Sequence, residues 1–316
     1  MELTIRRVLS DLVKVWIPYA YHLDRFADLP IQLEICPSPA ELPSDPADVQ
    51  FWTPPYLADR SVTELLDQMP ALKVVQLLTA GAEVWINRVR DGVLLCDGQG
   101  IHTSSTAELA LALILSYQRR IPEFVRAQAA GEWDRTATPT PELTDSRVLI
   151  VGAGAIGDNL RHRLEACEAA SVTMVARSAR PGVHAVTELP GLLPDADIVV
   201  LLVPLTPDTT GLIDAKMLSH MHDGALLVNI ARGPVVVTDD LVAELRSGRL
   251  HAAMDVTDPE PLPAGHPLWT LPNVLITPHV GGIVQGLMPR AYRLLEAQLR
   301  RFVAGEPMHN VVAHGY

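Results

Sequence analysis

The strongest hydrophobic pattern in this chain of 316 residues begins near residue 147. From there, short runs of consecutive apolar residues alternate with stretches whose apolar positions recur at helical spacing. Continuously apolar strands are typical of parallel sheets covered on both faces, and helical spacers between them indicate a doubly wound α/β domain. The strands predicted there cover residues 148–151, 172–176, 198–203, 226–230, 252–256 and 274–276.

A second, weaker α/β pattern covers roughly the first hundred residues. A helix is predicted at residues 61–69, beginning at Ser61 and ending before Pro70, because proline cannot continue a helix. The strands predicted in this part cover residues 31–35, 49–52, 72–78 and 93–95.

Two long helical patterns bracket the apolar strands of the second block. The first, at about 105–130, is apolar on nearly all sides in its first half, and Ser105 or Thr106 is expected to cap it. The second covers about 288–303. We therefore predict two doubly wound, Rossmann-like domains with parallel sheets and a cleft between them: one inserted domain, 105–285, and one discontinuous domain, 1–104 plus 286–316.

Composition and charge exclude several classes of protein. Hydrophobic residues make up 48% of the chain and charged residues 20%, as in ordinary globular domains. The net charge of −12 opposes the binding of nucleic acid, although local arginines can still bind small anions. Three cysteines without CxxC spacing favour a reducing compartment. No signal peptide is visible and the apolar runs are too short to span a membrane, so we expect a soluble, cytoplasmic protein.

A glycine-rich turn opens the second block. Residues 148–157 place Gly152, Gly154 and Gly157 in a GxGxxG pattern directly after an apolar strand and at the start of an amphipathic helix. The first glycine permits a tight turn, the second lets a pyrophosphate approach the backbone, and the third lets the helix pack on the strand. In this context the pattern predicts a dinucleotide site, which also includes Ala155 and Ile156, so 105–285 is the predicted dinucleotide-binding domain.

The segment that normally selects the dinucleotide is unusual. An NAD enzyme is expected to carry an acidic residue about 20 residues after the glycines. Here Arg177, Ser178 and Arg180 stand in that segment, and the next acidic residue is Glu188. Two guanidinium groups and a hydroxyl suit a ribose 2′-phosphate, which predicts NADP(H) over NAD(H). Alternatively, the arginines form a solvated surface turn or stack on adenine without selecting a cofactor.

Three polar motifs follow predicted strands of the same block. Arg232 lies after the strand at 226–230, Asp255 and Glu260 after the strand at 252–256, and His279 after the last one. The carboxyl ends of parallel strands form the ligand-binding edge of an open α/β sheet. Arginine can hold a carboxylate in a bidentate manner, and histidine can transfer a proton near neutral pH when a carboxylate supports it.

These motifs resemble the D-2-hydroxyacid dehydrogenase family, which includes phosphoglycerate dehydrogenase and the glyoxylate/hydroxypyruvate reductases. The resemblance extends from about residue 72 to the end of the chain. It rests on ordered motifs at 80–81, 107–109, 131–133, 148–157, 203–207, 229–233, 255–262, 277–282, 305–307 and 310–312.

The resemblance implies a role for each matching residue of the second block. Arg232 would bind the substrate carboxylate and polarise the 2-oxo group. His279 would be the general acid/base that also contacts substrate, with Glu260 as its carboxylate partner. Asp255 would hold the nicotinamide carboxamide, and Pro204 would lie at the cofactor.

The discontinuous domain, 1–104 plus 286–316, would be the substrate-binding domain. Backbone N–H groups of Ala80, Gly81 and Ala82 would bind the substrate carboxylate there. Trp133 would lie on a dimerisation arm and reach the active site of the partner in a homodimer, or it would only pack that arm.

The substrate and two alternative functions stay open. The segment 52–56 has no basic residue that would hold a phosphorylated substrate, which favours a small 2-oxo acid such as glyoxylate or hydroxypyruvate. A formate dehydrogenase is one alternative, although its relatives lack the carboxylate that Glu260 supplies. A dinucleotide-sensing corepressor is the other. A metal site is not predicted, because His220 and His222 do not share a helix face and no further ligand pattern accompanies them.

Overall fold

The computed structural model describes residues 12–133 and 139–312. Its contacts divide the chain into two compact units. The outer unit comprises residues up to His102 together with those from Gln285 onward, and the inserted unit comprises Thr103 to Val284. Both sheets are entirely parallel, so the predicted fold class is confirmed. Residues 1–11, on which the expectation of no signal peptide rests, lie outside the described residues.

The sheet of the outer unit has the strand order β2-β1-β3-β4-β5. Its strands are β1 (Val13–Ile17), β2 (Ile31–Ile35), β3 (Phe51–Trp52), β4 (Val74–Gln76) and β5 (Leu94–Cys96). Short 3-10 helices connect them, at Leu23–Phe26, Pro46–Asp48 and Arg60–Gln68. Helical character at 61–69 is confirmed, but the helix is of the 3-10 type and the Asp59 carboxylate caps it by accepting a bond from Ser61 N at 2.9 Å.

β1 was not among the predicted strands, because Lys14 interrupts its apolar pattern. The strand is nevertheless central to the outer sheet, and Val15, Trp16 and Ile17 are fully buried. The ammonium group of Lys14 bonds to the carbonyl oxygen of Asp45 at 3.0 Å, which satisfies the charged end while the aliphatic stem stays buried.

The sheet of the inserted unit has seven strands in the order β12-β11-β10-β9-β6-β7-β8. These are β6 (Arg147–Val151), β7 (Ser171–Ala176), β8 (Val183–Ala185), β9 (Ile198–Leu201), β10 (Leu226–Asn229), β11 (His251–Met254) and β12 (Val274–Ile276). Apolar side chains cover both faces: Leu149 and Val151 belong to one buried cluster, while Val148 and Ile150 belong to the other. This is the covering that continuously apolar strands predict.

Helices flank this sheet on both faces. The helices of the inserted unit are α1 (Thr103–Gln118), α2 (Ile121–Ala130), α3 (Ala155–Ala166), α4 (Leu189–Leu192), α5 (Ala215–His220) and α6 (Thr238–Arg246), and α2 contributes no buried residue. Further 3-10 turns lie at Leu143–Asp145, Val186–Glu188, Leu193–Asp195, Gly233–Val235 and Pro267–Trp269.

The expectation of one continuous helix at 105–130 was wrong. The chain leaves helical geometry at Arg120, which has a left-handed backbone with φ of 54°. Pro122 lies in the first turn of α2 and cannot donate a backbone hydrogen bond to the preceding turn. α1 also begins earlier than expected, so Ser105 and Thr106 lie inside it and do not cap it.

The last helix, α7 (Leu287–Ala304), returns to the outer unit and confirms the second long helical pattern. Its apolar face is buried with Val15 and Ile17 of β1 in one cluster, in which Tyr292 is fully buried. The Tyr292 hydroxyl donates to the carbonyl oxygen of Tyr19 at 2.6 Å and accepts from Tyr19 N at 3.1 Å. Within the residues that the structure describes, no helix combines the length and apolar character that a membrane crossing requires.

Candidate active site

Three of the predicted site residues follow three neighbouring strands of the inserted unit. Arg232 lies three residues after the end of β10, Asp255 directly after β11, and His279 three residues after β12. All three strands end at the carboxyl edge of the parallel sheet. The strand order reverses between β6 and β9, and open α/β sheets bind ligands at this edge and near such a reversal.

His279 and Glu260 form a direct pair. The imidazole Nδ1 lies 2.6 Å from Oε1 of Glu260. The hydrogen bond to Glu260 raises the pKa of His279 above its usual value, the charge of Glu260 adds to this, and the guanidinium of Arg232 opposes it. The same bond lowers the pKa of the Glu260 carboxyl, which also accepts a backbone hydrogen bond from Thr257. The carboxylate therefore binds one ring nitrogen, Nδ1, and leaves Nε2 available for proton transfer.

Asp255 organises the loop that carries His279. Its carboxylate is buried, with the residue only 2% exposed. Oδ1 accepts from the hydroxyl of Thr277 at 2.6 Å and from Val280 N at 2.9 Å, and Oδ2 accepts from Gly281 N at 2.9 Å. The main-chain oxygen of Asp255 accepts from His279 N at 2.7 Å. The residue that the resemblance places at the cofactor thus makes four hydrogen bonds to the loop that carries His279.

The backbone of Arg232 is held by the strand before it. Buried Asn229, at the end of β10, donates through Nδ2 to the carbonyl oxygen of Arg232 at 3.1 Å and accepts from Ala231 N at 3.1 Å. A Cβ at Gly233 would overlap the carbonyl oxygen of Thr257, so the loop after β10 lies directly on the loop after β11. This packing brings Arg232 close enough to act electrostatically on both Glu260 and His279.

The three glycines of the dinucleotide motif differ in the space around them. Gly152 has φ of 128°, and a Cβ there would lie 2.6 Å from the backbone of Leu202. A Cβ at Gly157 would overlap the carbonyl oxygen of Gly152. Gly154, by contrast, has no atom within 4 Å of its Cβ position and caps the N-terminus of α3. Two tight glycines and one open glycine at a helix N-terminus fit a pyrophosphate.

The remaining predicted cofactor residues surround this turn. Ala155 and Ile156 are the first two residues of α3. Arg177, Ser178 and Arg180 are exposed and follow β7, the strand next to β6.

One of these arginines bonds directly to the glycine turn. Nη2 of Arg180 donates to the carbonyl oxygen of Ala153 at 2.6 Å. After β9, the carbonyl oxygen of Pro204 accepts the hydroxyl of Thr209 at 2.6 Å, which closes that loop. All of these residues therefore lie at the carboxyl edge of one sheet.

The predicted substrate loop belongs to the outer unit. Ala80, Gly81 and Ala82 follow β4, and the hydroxyl of Thr79 donates to the carbonyl oxygen of Gly81 at 2.9 Å. The loop is fixed from outside by Gly98 N, which donates to the carbonyl oxygen of Thr79 at 2.7 Å. It occupies the carboxyl edge of the outer sheet.

The sequence did not single out Thr277 or Thr257, although both contact the predicted site residues. Thr277 donates to Asp255, and Thr257 bonds to Glu260. The available signal was position: each threonine lies within three residues of the end of a strand whose following loop carries a predicted catalytic side chain.

Comparisons with known proteins agree with this architecture. The family model described as "D-isomer specific 2-hydroxyacid dehydrogenase, NAD binding domain" matches residues 111–281. The chain is 34% identical over 264 residues to a human protein named glyoxylate reductase/hydroxypyruvate reductase, covering 80% of each chain.

Two solved structures are also similar. One is a D-isomer specific 2-hydroxyacid dehydrogenase from Xanthobacter autotrophicus Py2 in complex with NADPH, with 30% identity, a TM-score of 0.78 and coverage of 96% of this chain and 98% of that one. The other is an NADPH-dependent glyoxylate/hydroxypyruvate reductase from Sinorhizobium meliloti in complex with NADP, with 25% identity, a TM-score of 0.80 and the same coverage of each chain.

The fold and the site therefore define an oxidoreductase that uses a nicotinamide dinucleotide and acts on a small hydroxy or oxo acid. The chain belongs to the D-isomer specific 2-hydroxyacid dehydrogenase family, as the resemblance in sequence predicts.

Proposed function

We propose that this protein reduces glyoxylate or hydroxypyruvate to the D-2-hydroxy acid, with NADPH as the preferred reductant. The observation that carries this proposal is the His279–Glu260 pair, next to Arg232 at the carboxyl edge of a sheet with a dinucleotide turn. The outer unit is the substrate-binding domain in this proposal, and the inserted unit is the dinucleotide-binding domain.

Each catalytic residue has a task that its environment supports. Arg232 holds the substrate carboxylate in a bidentate manner and polarises the 2-oxo group. Protonated His279 donates its proton from Nε2 to the developing alkoxide, and Glu260 keeps the imidazole protonated and oriented. The bound nicotinamide supplies the hydride. Asp255 contributes to nicotinamide binding, and the N–H groups of residues 80–82 bind the carboxylate from the outer unit.

The preference for NADPH rests on the segment after β7. Arg177, Ser178 and Arg180 occupy it without an acidic residue, and Arg180 is bonded to the turn that would hold the pyrophosphate. A carboxylate would repel a 2′-phosphate, whereas guanidinium groups bind it through charge-assisted hydrogen bonds. The two similar structures with bound NADPH or NADP support the same choice.

A panel of 2-oxo acids assayed with NADPH and with NADH tests the proposal. We expect turnover of glyoxylate or hydroxypyruvate, with kcat/KM for NADPH at least about tenfold above that for NADH, a difference of about 1.4 kcal/mol. Arg177→Ala should raise KM for NADPH far more than for NADH. Arg246→Ala, an exposed arginine at the end of α6, is the matched control.

Three results would overturn parts of this proposal. Equal kinetics with both cofactors would remove the NADPH preference. Dinucleotide binding without turnover of any 2-oxo acid would favour the corepressor-like alternative. Oxidation of formate without reduction of 2-oxo acids would favour the formate dehydrogenase alternative.

We also propose a homodimer formed through the α2 region. Ile121, Val125 and Trp133 are 47%, 57% and 83% exposed, an unusual concentration of apolar surface for one short segment. In light scattering after size-exclusion chromatography, the wild-type protein should be a dimer and Val125→Glu should be a monomer. A monomeric wild type would contradict the proposal.

The three unpaired cysteines are consistent with a cytoplasmic location.

A further inference from the structure

The loop of residues 277–281 holds His279 in a backbone conformation that is unfavourable for a histidine. His279 has φ of 53°, in the left-handed region that disfavours residues with a side chain. Such a conformation persists only where the surrounding contacts and hydrogen bonds stabilise it. The orientation of the imidazole toward Glu260 therefore depends on what constrains this loop.

Asp255 provides that constraint. It binds three successive backbone N–H groups, those of His279, Val280 and Gly281. The carboxylate also lies against the backbone of Gly281, where a Cβ would come within 3.2 Å of Oδ2. Rotation of this carboxylate would break the bonds to Val280 and Gly281 and leave the loop held to Asp255 only by the main-chain bond of His279.

Thr277 fixes the rotation of the carboxylate. Its hydroxyl donates to Oδ1 of Asp255 at 2.6 Å. Thr277 is itself anchored, because its N–H donates to the carbonyl oxygen of Met254 at 2.9 Å and so continues the pairing of β12 with β11. A buried carboxylate needs such donors, and charge-assisted bonds to it are strong.

We propose that Thr277 is a positioning residue for acid/base catalysis, which acts through Asp255 to hold the His279 imidazole against Glu260. The inference rests on the proposed function for its catalytic consequence, but the geometry of the pair is a separate observable. Three charged groups face the imidazole: Glu260 and Asp255 raise the pKa of His279, and Arg232 lowers it. Loss of the Thr277 bond weakens the contact with Glu260, so the pKa of His279 should fall.

Thr277→Val and Thr277→Ser test this inference as a pair. Valine keeps the branched shape and loses the hydroxyl, whereas serine keeps the hydroxyl. We expect Thr277→Val to lower kcat for reduction by about tenfold, or about 1.4 kcal/mol. We expect Thr277→Ser to stay near the wild type. Thr270→Val, which removes an exposed threonine hydroxyl bond elsewhere in the inserted unit, is the matched control.

The decisive readout does not need turnover. Nitrogen NMR of the histidine side chains, with His279 assigned from the spectrum of His279→Gln, gives its pKa in the protein without substrate. Thr277→Val should lower this pKa and Thr277→Ser should leave it unchanged. If Thr277→Val does not fold, Thr277→Ala gives the same comparison.

An unchanged pKa and an unchanged kcat in the variant without the hydroxyl would overturn the proposal, as would equal losses in the valine and serine variants. A shifted pKa in a protein that reduces no 2-oxo acid would support the positioning role and contradict the proposed function instead.

Discussion

Replacing Glu260 with Gln should move the pH dependence of reduction toward lower pH. The Glu260 carboxylate raises the pKa of His279 through a hydrogen bond of 2.6 Å and through its charge. Reduction requires the imidazolium form, so its rate falls as the pH rises through this pKa. Glutamine keeps the shape and a hydrogen-bonding group but carries no charge. The imidazolium is then less stable, and the descending limb should appear at lower pH.

The size of the shift follows from the exposure of the pair. Two unit charges about 4 Å apart interact by about 1 kcal/mol in a water-like medium and by about 4 kcal/mol at an effective dielectric constant near 20. The side chains of His279 and Glu260 are 43% and 41% exposed, so solvent screens them and the lower part of this range applies. One pKa unit corresponds to 1.36 kcal/mol. We therefore expect a shift of about one pH unit.

The assay is kcat/KM for glyoxylate with NADPH, measured from about pH 5 to 10 in buffers of constant ionic strength. Glu188→Gln is the matched control, because Glu188 also accepts a hydrogen bond from a histidine, Nδ1 of His184 at 2.8 Å, on the same unit. It should leave the profile unchanged. If the limb of Glu260→Gln coincides with that of the wild type, Glu260 does not govern the protonation of His279 and the acid/base assignment fails.

Three further perturbations test other parts of the molecule. Arg232→Ala should lower kcat/KM for glyoxylate roughly 10- to 150-fold, since a charge-assisted contact contributes about 1.5–3 kcal/mol, and a wild-type value would reject its role. Gly157→Ala should lower the Tm because its Cβ overlaps a carbonyl oxygen, whereas Gly154→Ala should keep the Tm and weaken dinucleotide binding in a fluorescence titration. Tyr292→Phe removes two partly buried hydrogen bonds to Tyr19 and should destabilise the outer unit by about 1–3 kcal/mol, visible as a lower urea midpoint.

Much of the inserted unit is predictable because short sequence patterns indicate its strands and its glycine turn. A continuously apolar run indicates a strand that is buried on both faces. The GxGxxG pattern indicates a tight turn between a strand and a helix from ten consecutive residues. The pattern at β8 is too short to detect, since Val183, His184 and Ala185 form a strand only by pairing with β7. The break at Arg120 was missed although Pro122 marks it, because the apolar periodicity continues across the break.

The contacts within the site join residues that are far apart in the sequence, so they are harder to predict. Glu260 and His279 are separated by 19 residues, and their pairing depends on how the loops after β11 and β12 are folded. Their partnership was expected only from the family resemblance. Neither periodicity nor motif spacing indicates that Thr277 would donate to Asp255 or that His279 would have a positive φ, because both arise from contacts between adjacent strand ends.

The outer unit is assembled from both ends of the chain, and this has a consequence for folding during synthesis. Tyr292 of α7 completes the core around β1, and Val312 N donates to the carbonyl oxygen of Leu95 in β5. The ribosome produces the first hundred residues before the segment that finishes their core exists. At about 5–20 residues per second, synthesis of residues 285–316 takes roughly 2–6 s.

The inserted unit is complete before that segment begins. It is therefore expected to become resistant to protease on a stalled ribosome. The earlier part of the chain should stay sensitive to protease until α7 has been synthesised. In this protein the order of translation and the order of folding are not the same.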